Sequence, residues 1–299
     1  MNLRDLRYFV TLADTGHFGK AAERCFVSQP TLSAQIKKLE NYLGVQLIER
    51  QPRRVALTEM GTKILPLARR MLQESDEIVA LARNEHDPLS GKLKVALIPT
   101  IGPYLLPLLM RKLRRKLPRL KLMLYEYQTQ PLLDKLRAGD IELGILALPV
   151  PLDGLEARAL YREPFTVAVP NNSDLAKKAN VKVEDLSGET LLLLEDGHCL
   201  RDQALDVCGR IEARESEDYR ATSLETLRQM VAAGLGVTLL PELATRGPFG
   251  SGQGLTVKQF ARPVPARTVG AVWRKSSART EAINAISAVI ETTMKEIKK

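Results

Sequence analysis

Two of the chain's three cysteines, Cys199 and Cys208, lie nine positions apart in the segment Glu195-Asp-Gly-His-Cys-Leu-Arg-Asp-Gln-Ala-Leu-Asp-Val-Cys208. His198 precedes Cys199 and Arg201 follows two positions on. Cations beside a thiol favour the thiolate, the form that attacks oxidants. On a helix, nine residues put the two sulfurs on opposite faces, about 13.5 Å apart along the axis. On a strand they would be about 30 Å apart. A disulfide needs the two Cα atoms within about 7 Å. Either regular structure therefore forbids the bond, and an oxidant that joins these sulfurs must bend or refold the segment between them. Such a pair reports oxidation as a change of shape.

Other chemistries find less support. The cysteines and histidines lack metal-ligand grouping, and no Cys-x-x-Cys pair points to zinc or a thioredoxin-like site. Gly234-Leu-Gly236 precedes an apolar run, whereas a dinucleotide-binding glycine fingerprint follows a strand, so no cofactor is expected. Cys25 falls on an apolar helix face and reads as a packed thiol. His17 and His86 have no partner pattern and read as structural or exposed.

The elements that must position the cysteines follow from composition and periodicity. With 44% hydrophobic residues and 299 positions, the chain has material for two or three cored domains. Three cysteines make a poor structural framework, and no signal region or bilayer-length apolar run is visible. A reducing cytoplasm with no membrane partner is the expectation. The net charge of +9 admits a polyanionic partner, and residues 1–72 hold 12 Lys/Arg against 6 Asp/Glu. A second run, Arg111 to Lys121, carries seven bases and no acids and reads as a solvated helix face.

Helical spacing of Leu3, Leu6, Phe9, Val10 and Ala13 ends at Gly16. Phe18, Ala21, Ala22, Cys25 and Phe26 make a second apolar face. Ser28 is placed to cap a third helix with Pro30 in its first turn. A basic hairpin over 49–57 follows. From Thr58 a helix runs to about Asn84, too apolar at Ile64, Leu65, Leu67, Met71, Leu72, Ile78, Val79 and Leu81 for an isolated surface helix, which suits pairing with another copy. His86 to Gly91 has hinge composition. From Lys92 strands and helices alternate, which predicts an α/β architecture with mostly parallel sheets. Strands are expected at 92–99, 120–126, 141–148, 165–169, 190–194, 236–240, 255–260 and 268–274, and helices at 104–116, 132–138, 223–233 and 279–298.

Three helices with a turn before a Ser-capped third form a helix-turn-helix pattern. Its second motif helix presents its N-terminal part to base edges in the major groove. Gln29, Pro30, Thr31, Ser33 and Gln35 make up that end, Lys37 and Lys38 reach phosphates, and Arg50, Arg53 and Arg54 suit a wing on the flanking backbone. The plain alternative is a three-helix protein-interaction domain. The segments Leu6-Arg-Tyr-Phe9, Phe18-Gly-Lys-Ala-Ala-Glu23, Val27-Ser-Gln-Pro-Thr-Leu-Ser33, Leu43-Gly-Val-Gln-Leu47 and Leu57-Thr-Glu-Met-Gly61 resemble the signature of LysR-type transcriptional regulators. One departure is Ala34, where many members carry Arg. The resemblance implies an N-terminal winged helix-turn-helix, mainly α, at 1–58. It also implies a dimerising linker helix and hinge at 59–91 and an α/β effector domain at 92–299. That domain would hold two subdomains resembling type 2 periplasmic binding proteins, about 92–162 with 268–299, and 163–267.

Gly197-His-Cys-Leu-Arg-Asp-Gln-Ala204, Cys208 and Arg220-Ala-Thr-Ser-Leu-Glu-Thr-Leu-Arg228 resemble the peroxide-sensing branch of that family. This implies a homotetramer on double-stranded DNA that senses hydrogen peroxide, with Cys199 peroxidatic and Cys208 resolving. RNA polymerase and a cellular thiol reductant are further expected partners. The flanks agree, since Cys208 has only Arg210 nearby. His198 and Arg201 support the reactive sulfur by their nearness in sequence, by the same resemblance Arg267 and Asp202 support it too, and the hydroxyls of Thr100 and Thr129 hold peroxide or water. Each has a plainer reading: the threonines cap turns, His198 lies on the surface, Arg267 pairs with a structural carboxylate. Leu200, Leu205 and Val207 are expected to be buried before oxidation and to carry the change to a subunit interface. Two other functions stay open. A small organic ligand binds between the subdomains with the cysteines incidental, or the chain is a thiol peroxidase or disulfide oxidoreductase.

Overall fold

A computed structural model describes residues 1–50, 55–84, 87–209, 214–246 and 254–297, without the side chains of 50, 73, 77, 80–84 and 214–219. Arg53, Arg54, His86 and Arg210 lie outside the described residues, as do the side chains of Arg50 and Leu81. The chain divides into two compact units, Met1–Asp87 and Pro88–Lys299.

The first unit opens with α1 (Leu3–Thr15), started by a capping box in which Asn2 and Asp5 exchange side-chain and backbone hydrogen bonds of 3.0 Å. Next come α2 (Phe18–Arg24) and α3 (Gln29–Leu43), the latter capped by Ser28. The strands β1 (Ile48–Arg50) and β2 (Val55–Leu57) pair antiparallel as a small wing. Glu40 of α3 fastens that wing by accepting the Leu47 and Ile48 amides at 2.8 and 3.1 Å. Helix α4 (Glu59–Asn84) then crosses close to it, and a Cβ at Gly61 would sit 2.1 Å from the Leu47 carbonyl. Only glycine fits there. Leu6, Phe9, Leu12, Leu32, Ile36 and Leu47 form this unit's core. Along α4, Leu67, Met71, Ile78 and Val79 remain exposed.

The second unit runs β3 (Gly91–Leu97), α5 (Gly102–Lys116), β4 (Leu120–Glu126), α6 (Thr129–Ala138), β5 (Leu143–Leu148), β6 (Leu155–Pro170) and α7 (Asp174–Lys177). It continues with β7 (Thr190–Leu194), α8 (Cys199–Cys208), β8 (Arg214–Ala221), α9 (Leu224–Ala232), β9 (Thr238–Pro241), β10 (Leu255–Gln259), β11 (Ala266–Arg274) and α10 (Thr280–Ile297). The main sheet has the order β10-β6-β11-β5-β3-β4, with β9 also on β6.

The expectation of mostly parallel sheets is corrected. β3 pairs parallel with β4 and β5, and β7 with β8, but β11 runs antiparallel to β5 and β6, and β9 and β10 run antiparallel to β6. The reason is topological. The 16-residue β6 leaves one core and enters the other, and β11 returns the chain alongside it. Its first half, Leu155 to Pro164, was not expected as strand. Leu93, Leu105, Leu132, Ile145, Val272 and Ile283 belong to a first core, and Phe165, Val167, Leu192, Leu227, Leu239 and Phe260 to a second. No helix among the described residues is long and apolar enough to cross a membrane.

Candidate redox site and nucleic-acid interface

The two cysteines are the first and last residues of α8, and both are free thiols. The helical rise separates them by about 13.5 Å. Their surroundings differ. Cys208 is buried in the second core with Leu200 and Ala204, and burial pushes its thiol up to about 11. Cys199 is half-buried and packs against the first core instead. Helix α8 thus lies in one subdomain while its first residue touches the other. Leu205 and Val207, expected to be buried, are only half-buried because Leu200, Ala204 and Cys208 form the inward face.

The cationic flanks of Cys199 need correction. His198 is 5% exposed, not a surface residue, and burial holds its pKa below the ordinary 6.5 against a smaller opposing pull from Glu195. At neutral pH its ring is uncharged. Arg201 pairs with Asp196 at 2.9 Å, and Arg220 holds the same carboxylate at 3.2 Å. Cys199 keeps its place at a helix N-terminus, where unpaired amides and the helix dipole favour negative charge. Asp202, one turn on, is exposed.

Arg267 is held in a buried network. Its Nε donates to Glu163 at 2.8 Å, and its two Nη groups donate to the Thr100 hydroxyl and carbonyl, both at 2.9 Å. The alternative carboxylate pairing of Arg267 therefore occurs, and its contact with Thr100 is an addition that the sequence does not announce. Glu163 also accepts the Leu243 amide at 3.1 Å. Thr100 and His198 line one cleft of about 510 Å³ between the subdomains, with Tyr104, Glu126, Ser223 and Glu225. Thr129 is not a cap. It follows the N-cap residue Gln128, and its buried hydroxyl makes no hydrogen bond within the protein. Glu163, Gln128 and Asp196 were not singled out from the sequence. Glu163 and Arg267 are 104 positions apart, a distance no spacing rule covers.

In the first unit, Gln29, Pro30, Thr31, Lys37 and Lys38 are exposed along α3, while Ser33 and Gln35 are half-buried. The Thr31 hydroxyl is 2.8 Å from that of Ser28 within the cap. Arg50 is on β1. Cys25, the C-cap residue of α2, is half-buried against the unit's core, and His17 is an exposed N-cap of the same helix.

A helix-turn-helix with a wing, followed by a two-core α/β unit with a cleft, defines a ligand- or redox-responsive transcription regulator. The family model for the LysR substrate binding domain matches residues 86–295, and that for the bacterial regulatory helix-turn-helix protein, lysR family, matches residues 3–62. The chain belongs to the LysR family, and its relatives there include OxyR proteins. It is 46% identical to the DNA-binding transcriptional dual regulator OxyR of Escherichia coli K12, over 93% of this chain and 90% of that one. A cysteine-substituted full-length OxyR from Pseudomonas aeruginosa superimposes with a TM-score of 0.80 at 43% identity, covering 97% of this chain and 98% of that one. A cysteine-substituted, H2O2-bound OxyR from Corynebacterium glutamicum gives 0.69 at 37% identity, over 99% and 93%.

Proposed function

We propose that the chain is a hydrogen-peroxide-sensing, DNA-binding transcription regulator switched by oxidation of Cys199 to a disulfide with Cys208. The carrying observation is that both thiols terminate one helix, α8, and face different cores. Cys199 thiolate attacks one peroxide oxygen, the O–O bond breaks, and hydroxide takes a proton to leave as water. The resulting sulfenic acid condenses with the Cys208 thiol, expelling a second water. Two thiols and one peroxide give one disulfide and two waters.

Thr100, Thr129, His198 and Arg267 are the groups that orient peroxide or the departing oxygen; Arg201 and Asp202 act at the helix N-terminus without joining that cluster. A buried thiol with a pKa of about 11 is a poor nucleophile, so Cys208 attacks only after α8 opens. The shape change thus precedes the bond. Closing this ten-residue loop is worth about 2.7 kcal/mol, while a shift from 1:99 to 99:1 needs about 5.5 kcal/mol. Steric exclusion of the intact helix supplies the difference.

The DNA-reading end of α3 supplies base contacts through Gln29, Pro30, Thr31, Ser33 and Gln35, with Lys37, Lys38, Arg50, Arg53 and Arg54 on the backbone. The exposed apolar stripe of α4 supports a dimer, and two such dimers on DNA make the tetramer of this reading. The protein works in the cytoplasm with RNA polymerase and a thiol reductant as partners, and it is a sensor oxidised once per signal rather than an enzyme. Peptide mapping after one equivalent of peroxide, with DNA footprints of both redox forms, tests this. An absent Cys199–Cys208 bond or identical footprints would sink it. The cleft supports a second reading, a small organic ligand between the subdomains. A footprint that responds to peroxide in the wild type but not in Cys199→Ser, with DNA binding retained, decides against it.

A further inference from the structure

We propose that Gln128 is a positioning residue for peroxide sensing, a clasp across the cleft that holds the Gly197–His198–Cys199 turn against the first subdomain and fixes the His198 tautomer. The inference rests on Cys199 being the reacting group. Gln128 stands at the N-cap position of α6, whose Leu132 and Leu133 belong to the first core, and its side chain is not used for the cap. Its amide nitrogen reaches into the loop before α8, lying 3.3 Å from Glu195 Oε1 and 3.1 Å from His198 Nε2.

Chemistry fixes the protons. A carboxylate only accepts, so the amide NH2 must face Glu195. Two N–H donors then meet two acceptors, and His198 Nε2 must carry a lone pair with its ring proton on Nδ1. Burial favours this neutral ring. The amide oxygen lies against Gly197, where a Cβ would come within 2.9 Å, and the positive φ of 93° suits glycine there. The turn is thereby shaped around Gln128. Since Cys199 packs on the same core, the start of α8 is held to the first subdomain twice.

Protonation of His198 turns Nε2 into a donor, which Gln128 NH2 cannot satisfy, leaving only Glu195 at 3.9 Å. The other titratable groups facing the same cleft are Glu126 of β4, Tyr104 of α5 and Glu225 of α9. The clasp is present above the His198 pKa and lost as pH falls through it, below 6.5.

The test uses the full chain, whose three histidines make ring 15N labelling readily assignable. Wild type should show His198 protonated on Nδ1. Gln128→Glu, which removes both donors, should convert it to imidazolium at neutral pH. Gln128→Met, similar in shape and uncharged, should abolish the tautomer preference, and it carries the test if Gln128→Glu fails to fold. Gln128→Met should slow sulfenic acid formation at Cys199 roughly ten-fold, the effect of one lost hydrogen bond. The acid-side inflection of the wild-type rate should vanish in Gln128→Met. An Nε2-protonated His198 in the wild type, or a wild-type rate and pH profile in Gln128→Met, overturns the clasp. If wild type forms no Cys199 sulfenic acid, the sensing reading has failed instead.

Discussion

The two ends of α8 are built for opposite purposes. At its start, Cys199 is half-buried beside an inter-subdomain cleft, attached to a core that is not its own, within a turn full of polar partners. At its end, Cys208 sits in an apolar core, and its burial keeps it a protonated thiol. One thiol is poised and the other is withheld. A reactive cysteine alone would record oxidation chemically. Withholding its partner behind a helix makes the record structural, because the partner is delivered only when the helix is lost.

The sharpest way to break this contrast is to exchange the roles. Cys199→Ser should eliminate both sulfenic acid and disulfide, whereas Cys208→Ser should accumulate sulfenic acid at Cys199 and form no internal disulfide, as read by dimedone labelling and mass spectrometry. Equal labelling of the two variants would erase the asymmetry. Next in size is the support beneath the reactive end. Glu163→Ala leaves the buried Arg267 guanidinium unpaired and should cost about 3–5 kcal/mol in denaturant unfolding.

The withheld end has its own signature. A thiol raised by burial stabilises the fold fully below its unfolded value of 9.0, and that contribution is lost as pH rises through about 11. The fall is up to about 3 kcal/mol at 2.303RT per pH unit, and Cys208→Ala should flatten it. His198 works on the other side: its neutral burial stabilises above 6.5 and is lost as pH falls through its lowered pKa. Smallest is Thr129→Val, which removes a buried unpaired hydroxyl. Stability should hold within about 1 kcal/mol while peroxide oxidation of Cys199 slows; equal rates would remove Thr129 from the site.

The first unit was legible because its signals are local. Ser28 before Pro30, and glycines after α1 and α3, mark helix ends within one turn of where they occur. The cysteine spacing was equally local, and its obstacle to bonding became the helix itself. What escaped depends on distant partners. The stretch from Leu155 alternates apolar and charged residues only as far as Ala159; the apolar run Ala159-Leu160-Tyr161, where the pairing with β11 slips by one residue, breaks the pattern. β8, reading Arg214-Glu-Ser-Glu-Asp-Tyr-Arg-Ala221, has no apolar pattern and pairs with β7. The positive character assigned to His198 failed for a related reason. Its burial is tertiary, and burial reverses the charge its residue type implies.

Hydrogen exchange across residues 199–208 of the full chain, read by mass spectrometry before and after peroxide on the sample used for disulfide mapping, tests the central claim most directly. The reduced chain should protect the amides from Gln203 to Cys208, and that protection should collapse in step with formation of the Cys199–Cys208 bond. A mapped disulfide with helical protection intact would contradict the account.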